Sequence, residues 1–156
     1  MLLSLIAGII VLIDQITKYY IKNNMFSGES IPIIPGIFHI TYIQNSGGAF
    51  GMFQDKTAFF IIVSITAIIL LIFFYFLGSN NLLVRTALAI ILGGAIGNLI
   101  DRIMYQKVVD FFDLRIWPIF NVADIAICIG MGLLLLDMFN NGNKINSNEV
   151  KESVEG

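Results

Sequence analysis

Charge is scarce in this chain. Asp, Glu, Lys and Arg make up 13% of its 156 residues, against about 25% in ordinary soluble domains. Hydrophobic residues reach 57%, so the composition excludes a typical soluble domain and implies an integral membrane protein. Cysteine is nearly absent: Cys128 stands alone, which excludes an intramolecular disulfide and any multi-cysteine metal site. In the run IAICIGMG it reads as a small buried hydrophobe. Histidine is also single. His39 lies in a loop segment, leaving no Ser–His or Cys–His arrangement and too few ligands for zinc. The nine basic residues are scattered and the net charge is −2, so no basic stripe suggests a nucleic-acid partner. The N-terminal stretch MLLSLIAGIIVLIDQITKYY has neither a basic leading region nor a small-residue cleavage site, and reads as a retained span.

What is present is four long apolar runs. A helix needs roughly 20 mostly apolar residues to cross the hydrocarbon core, and residues 2–22, 57–77, 83–103 and 120–139 each qualify or nearly do. The second run carries no charge at all. Together, residues 1–139 read as a single four-span membrane domain, and 140–156 as a polar, disordered tail. The loop 23–56 contains Pro32, Pro35 and GIFHITYIQ. Its β-branched and aromatic content without helical period suggests a short strand at the membrane surface.

Alternation of spans then has a strong consequence. The ends of spans 1 and 3 and the starts of spans 2 and 4 face one side of the membrane. Asp14, Gln15 and Lys18 close the first span; Asn98, Asp101 and Arg102 close the third. Asn121 and Asp124 open the fourth, Asp110 lies in the loop before it, and Asn45 in the first loop. All these polar groups therefore fall near one face. Ionisable residues within spans usually face the bundle interior, because a charge at the bilayer centre costs about 2.5–3.5 kcal/mol on insertion scales. Asp14, Asp101 and Arg102 could equally form an ion-pair scaffold without chemistry. Lys22, Lys56 and Asp137 read as interfacial anchors, and Asp113, Arg115 and Trp117 as headgroup contacts. The pairs Gly93/Gly97 and Ala126/Gly130 allow close helix approach.

Asp110 and Asp124 form the candidate chemical pair. Two carboxylates in a low-dielectric site cannot both ionise; one keeps its proton, and the two can activate water and protonate a leaving group. Such acid–base work needs no cofactor. Acidic pairs in membranes also serve proton- or cation-coupled transport, and a non-catalytic lipid-binding scaffold is a third reading.

The blocks DQITK at 14–18, NSGGAFG at 45–51, GGAIGNLIDR at 93–102, VVDFFD at 108–113 and FNVAD at 120–124 together resemble lipoprotein signal peptidase (signal peptidase II). The likeness covers residues 5–139. It implies four transmembrane helices with a small extracytoplasmic β-sheet between spans 1 and 2. The implied activity is aspartyl endopeptidase cleavage of diacylglyceryl-modified prolipoproteins, before the lipidated cysteine, by a monomer of the bacterial cytoplasmic membrane without cofactor. It implies that Asp110 and Asp124 are catalytic and that Asp14, Lys18, Asn45, Gly47, Asn98, Asp101, Arg102 and Asn121 support the site. Asn45 and Asn121 are expected to hold the substrate backbone, and Arg102 to pair with Asp101 and keep span 3 in register against span 1. Both termini are implied to be cytoplasmic. The basic residues count the other way: Lys18, Lys22, Lys56, Arg102, Lys107 and Arg115 on the motif side against Arg85, Lys144 and Lys151, whereas basic residues favour the cytoplasm.

Overall fold

A computed structural model describes residues 2–48, 52–78 and 81–155, with side chains described up to Asn140. The described residues form four helices, α1 (Leu2–Asn24), α2 (Thr57–Leu77), α3 (Leu82–Tyr105) and α4 (Val122–Glu155), and three strands, two between α1 and α2 and one between α3 and α4. All four are long and apolar enough to cross a membrane, α4 through its segment Val122–Asn140. The α4 backbone continues as helix to Glu155, through the stretch where the sequence suggested a loose tail. That stretch contains no proline to stop a helix already begun; its side chains lie outside the described residues.

The α3 helix is the hub. It packs on α1, α2 and α4, and small residues let it do so. A Cβ on Gly93 would sit 2.8 Å from Ile10 Cβ, and one on Gly97 would sit 2.5 Å from Asp14 Oδ2. On its other side, Gly94 abuts the Ala123 carbonyl, while Gly130 of α4 would meet Ala87 O at 2.8 Å. Gly93 and Gly97 of the first small-residue pair, and Gly130 of the second, are therefore points of helix contact. By contrast α2 buries only Tyr75 and presents Phe59, Ile62, Ile69, Phe73 and Phe76 outward. An all-round apolar helix with an exposed surface suits contact with lipid.

The sheet is where the sequence reading needs correction. Strands β1 (Ser30–Ile34) and β2 (Phe38–Asn45) come from the first loop as expected, but β3 (Val108–Asp113) comes from the connection between α3 and α4. The segment VVDFFD is thus a strand, not a loop, paired antiparallel with β2 through Ile43↔Asp110, Gln44↔Val109 and Asn45↔Val108. Pleating sends alternate residues to opposite faces. One face packs Tyr42, Val109 and Phe111 onto Ile21 and Met25 at the end of α1. The other face carries Ile43, Asn45, Val108 and Asp110 towards a cavity.

Candidate active site

Four elements meet at the interfacial end of the bundle. Phe120 is tied back to β3, its N–H donating to Phe112 O at 3.1 Å and its carbonyl accepting from Phe112 N at 2.8 Å. That bridge sets the start of α4 beside the strand bearing Asp110. At the helix start, Asn121 Oδ1 accepts from Asp124 N at 3.0 Å, and Asp124 Oδ2 accepts from Asn121 N at 3.2 Å. This is a reciprocal capping box, with Asn at the cap and Asp three residues on. Asp124 is therefore held by helix-start geometry. A further free N–H of the first turn, on Ala123, donates to Asp14 Oδ1 at 2.9 Å, so α1 caps α4 from across the bundle.

Asp110 is buried, with 3% exposure. Its Oδ1 accepts from Asn121 Nδ2 at 2.7 Å and its Oδ2 from Asn45 Nδ2 at 3.0 Å. Asn45 Oδ1 in turn accepts from Gly47 N at 2.9 Å, and Gly47 lies so close to Met52 O (2.6 Å from an added Cβ) that no side chain fits there. The amides of Asn45 and Asn121, expected to face the substrate, are thus spent on Asp110. Asp124 Oδ1 accepts from Asn98 Nδ2 at 2.8 Å. Asn121 Nδ2 also donates to Asn98 Oδ1 at 3.1 Å, so one amide pair links the two carboxylates. Burial and then the Asp124 charge push the Asp110 carboxyl up to about 7, against the opposing pull of the two amide hydrogen bonds.

Behind the pair lies a buried ionic network. Lys18 Nζ contacts Asp14 Oδ2 at 2.9 Å, Asp101 Oδ2 at 3.1 Å and Asn98 Oδ1 at 3.0 Å. An ammonium has three N–H donors and no acceptor, so all three are used. Because Lys18 can only donate, Asn98 must turn its oxygen to the lysine and its NH₂ to Asp124. Gln15 Nε2 bridges Asp14, Asp101 and the Gly97 carbonyl, each at 3.1 Å, and Asp101 Oδ2 accepts from Val109 N at 3.0 Å. The register between α1 and α3 is therefore set by Lys18 and Gln15, correcting the expected Arg102–Asp101 pair. Arg102 instead lies with its guanidinium carbon 5.1 Å from the Phe60 ring centre and lines the cavity with Asp110 and Asp124.

That cavity encloses about 1010 Å³ between the end of β2, the 115–120 connection and the first turn of α4. Cys128 lines it and is exposed, contrary to the buried position expected from its apolar neighbours. It stands one turn beyond Asp124 on the cavity-facing stripe of α4. Asp113 is a second correction. It is 4% exposed rather than at the surface, and its Oδ2 accepts from Thr41 Oγ1 at 2.8 Å and Arg115 Nη1 at 2.9 Å. Its Oδ1 accepts from Arg115 N at 2.8 Å, holding Arg115 in a left-handed conformation with φ of 66°. Burial works against ionisation of Asp113, but the Thr41 and Arg115 hydrogen bonds outweigh it and keep the carboxyl below its ordinary value. No sequence signal marked this role, because Thr41 and Asp113 are brought together only by strand pairing.

Comparison with known proteins matches residues 6–140 to the family described as signal peptidase (SPase) II. The chain belongs to the signal peptidase II family. A lipoprotein signal peptidase from Brevibacillus brevis is 48% identical over 143 residues, covering 90% of this chain and 96% of the relative. One from Moorella thermoacetica is 48% identical over 131 residues, covering 83% and 87%. A solved bacterial membrane enzyme superposes with a TM-score of 0.86 at 37% identity, covering 91% of this chain and 90% of that one. The family's extent thus takes in all four spans, the sheet and both cavity carboxylates.

Proposed function

We propose that this chain is an aspartyl endopeptidase that cuts diacylglyceryl-modified prolipoproteins on the N-terminal side of the lipidated cysteine. Membership of the signal peptidase II family makes it a membrane-embedded peptidase that removes signal peptides from prolipoproteins; the dyad, the cleavage position and the orientation are our reading. The observation that carries it is that Asp110 and Asp124 open into one cavity, joined by the Asn98–Asn121 amide pair.

Asp110, raised towards neutrality, holds the proton. Asp124 takes a proton from water, and the water oxygen attacks the scissile carbonyl. Asp110 gives its proton to the substrate as the carbonyl oxygen gains charge. Proton return to the departing nitrogen completes cleavage, leaving a new carboxyl and a new amine. No group outside the chain is needed for these transfers. Asn45 and Asn121 keep Asp110 in place, and Asn98 keeps Asp124. Apolar residues around the dyad lower the local dielectric, which is what makes one shared proton favourable. We place this end of the bundle at the extracytoplasmic face, with the termini cytoplasmic and the chain acting as a monomer. A lipid-anchored cysteine holds its peptide bond near that interface.

Cleavage of a diacylglyceryl-prolipoprotein by the purified protein in lipid tests the reading. D110N and D124N should each reduce cleavage by at least about a thousandfold, in line with loss of an essential acid or base, while melting cooperatively. A single variant that cleaves at the wild-type rate would remove its aspartate from the mechanism.

A further inference from the structure

A second, smaller cavity lies behind the strand that carries Asp110. It encloses about 210 Å³ and is lined by Lys22, Gln44, Tyr105, Lys107 and Val109. Gln44 and Val109 are directly paired across β2 and β3, on the face opposite to Asp110. The cavity therefore sits in the corner between the ends of α1 and α3 and the back of the sheet. Gln44 is the one lining residue it shares with the larger cavity, and none of the dyad or its ionic scaffold lines it.

Its chemistry is one-sided. Lys22 and Lys107 both line it, and no acid does. The acids nearest in sequence are committed elsewhere: Asp101 to Lys18 and Val109 N, and Asp110 to two asparagine amides. Lys22 Nζ lies 3.4 Å from the centre of the Tyr105 ring. This cation–π contact holds the ammonium in place without neutralising it. Gln44 donates to Tyr42 Oη at 2.8 Å, which anchors the amide at the cavity wall. Two lysines lining one concave site that no acid lines favour an anion there. The volume equals roughly seven waters at about 30 Å³ each, enough for a phosphate and part of its ester group.

Position selects the source of that anion. Lys22 is in the last turn of a spanning helix and Lys107 follows the last turn of another, the level at which phospholipid headgroups lie. Tyr19, Tyr20, Ile103 and Met104 are exposed on the adjoining turns of the same two helices, a surface suited to acyl chains. We propose that Lys22 and Lys107 bind the phosphate of an anionic membrane lipid, seated against the back of the β2–β3 ladder. Such a lipid docks the sheet against the headgroup layer, one residue pair away from Asp110.

The test uses the full chain and phosphatidylglycerol as probe. Native mass spectrometry after release from mixed phosphatidylglycerol/phosphatidylcholine bilayers should find phosphatidylglycerol retained by the wild type. In K22Q/K107Q, retention should fall by roughly tenfold or more, as expected for two basic groups beside an anionic headgroup. Thermal melting in detergent should rise with added phosphatidylglycerol in the wild type, and not with phosphatidylcholine or inorganic phosphate. Both lysines are exposed, so the variant should fold; the single K107Q should show an intermediate loss. Equal retention by wild type and double variant overturns the site. Stabilisation by inorganic phosphate without any response to phosphatidylglycerol overturns the lipid as its occupant.

Discussion

Asp110 is the residue whose surroundings most constrain its chemistry. Its folded-state value of about 7 against an ordinary 3.8 means that the native state binds this proton more tightly than the unfolded chain. Stability from the group is complete below about pH 4 and is lost as pH rises to about 7. Wild-type melting temperature should thus fall across that window and level off above it, and D110N should flatten that slope; an unchanged slope would contradict the burial argument. Under the proposed mechanism, cleavage efficiency should fall above about pH 7, as Asp110 loses its proton. Asp113 makes the opposite case. T41V removes a hydrogen bond to a buried carboxylate and should destabilise the protein by about 1–3 kcal/mol, measured by denaturant unfolding in detergent. The same change should not lower the per-molecule cleavage rate of the folded fraction.

At the scale of elements, glycine placement and strand pairing decide the assembly. Gly94 meets the carbonyl of Ala123, the residue whose N–H is capped by Asp14. G94A should therefore push the first turn of α4 away from α3 and disturb Asp124 together with stability. A variant at an open glycine, G132A, has nothing within 4 Å of its new Cβ and serves as the control. If G94A melts like G132A and cleaves like wild type, the close α3–α4 approach is not required. The spans were readable because a membrane imposes a length and an apolar content that local sequence must supply. Strand β3 was not. VVDFFD is six residues of mixed apolar and acidic character with no clean alternation, and its partner β2 lies more than sixty residues earlier. Short apolar runs of this kind do not declare a strand by themselves.

Across the whole molecule, Lys18 ties together more of the fold than any other charged residue described. From α1 it reaches Asp14, Asp101 of α3 and Asn98, and through Asn98 it reaches Asp124 of α4. K18M leaves two buried carboxylates without their cation and should cost about 3–5 kcal/mol, read as a large loss in resistance to denaturant. A melt within about one degree of wild type would show that the network is not structural. The same burial bears on orientation. Lys18 is 3% exposed and fully paired, so it belongs to the interior rather than to the interfacial charge that basic-residue counts weigh.

Composition and alternation by themselves determined that this is a four-span membrane protein whose polar residues gather at one end. Spans are specified locally, residue by residue, by what the bilayer accepts. The blocks that resemble signal peptidase II also single out Asp110 and Asp124. Tertiary structure alone decided how those carboxylates are held, by a capping box, a strand and an amide pair contributed from distant segments. It alone turned Asp113 inward, brought Cys128 to the cavity and gave the α1–α3 register to Lys18 and Gln15 instead of Arg102. Each of these depends on which side chains meet across elements, and hydrophobic periodicity carries no information about such partners.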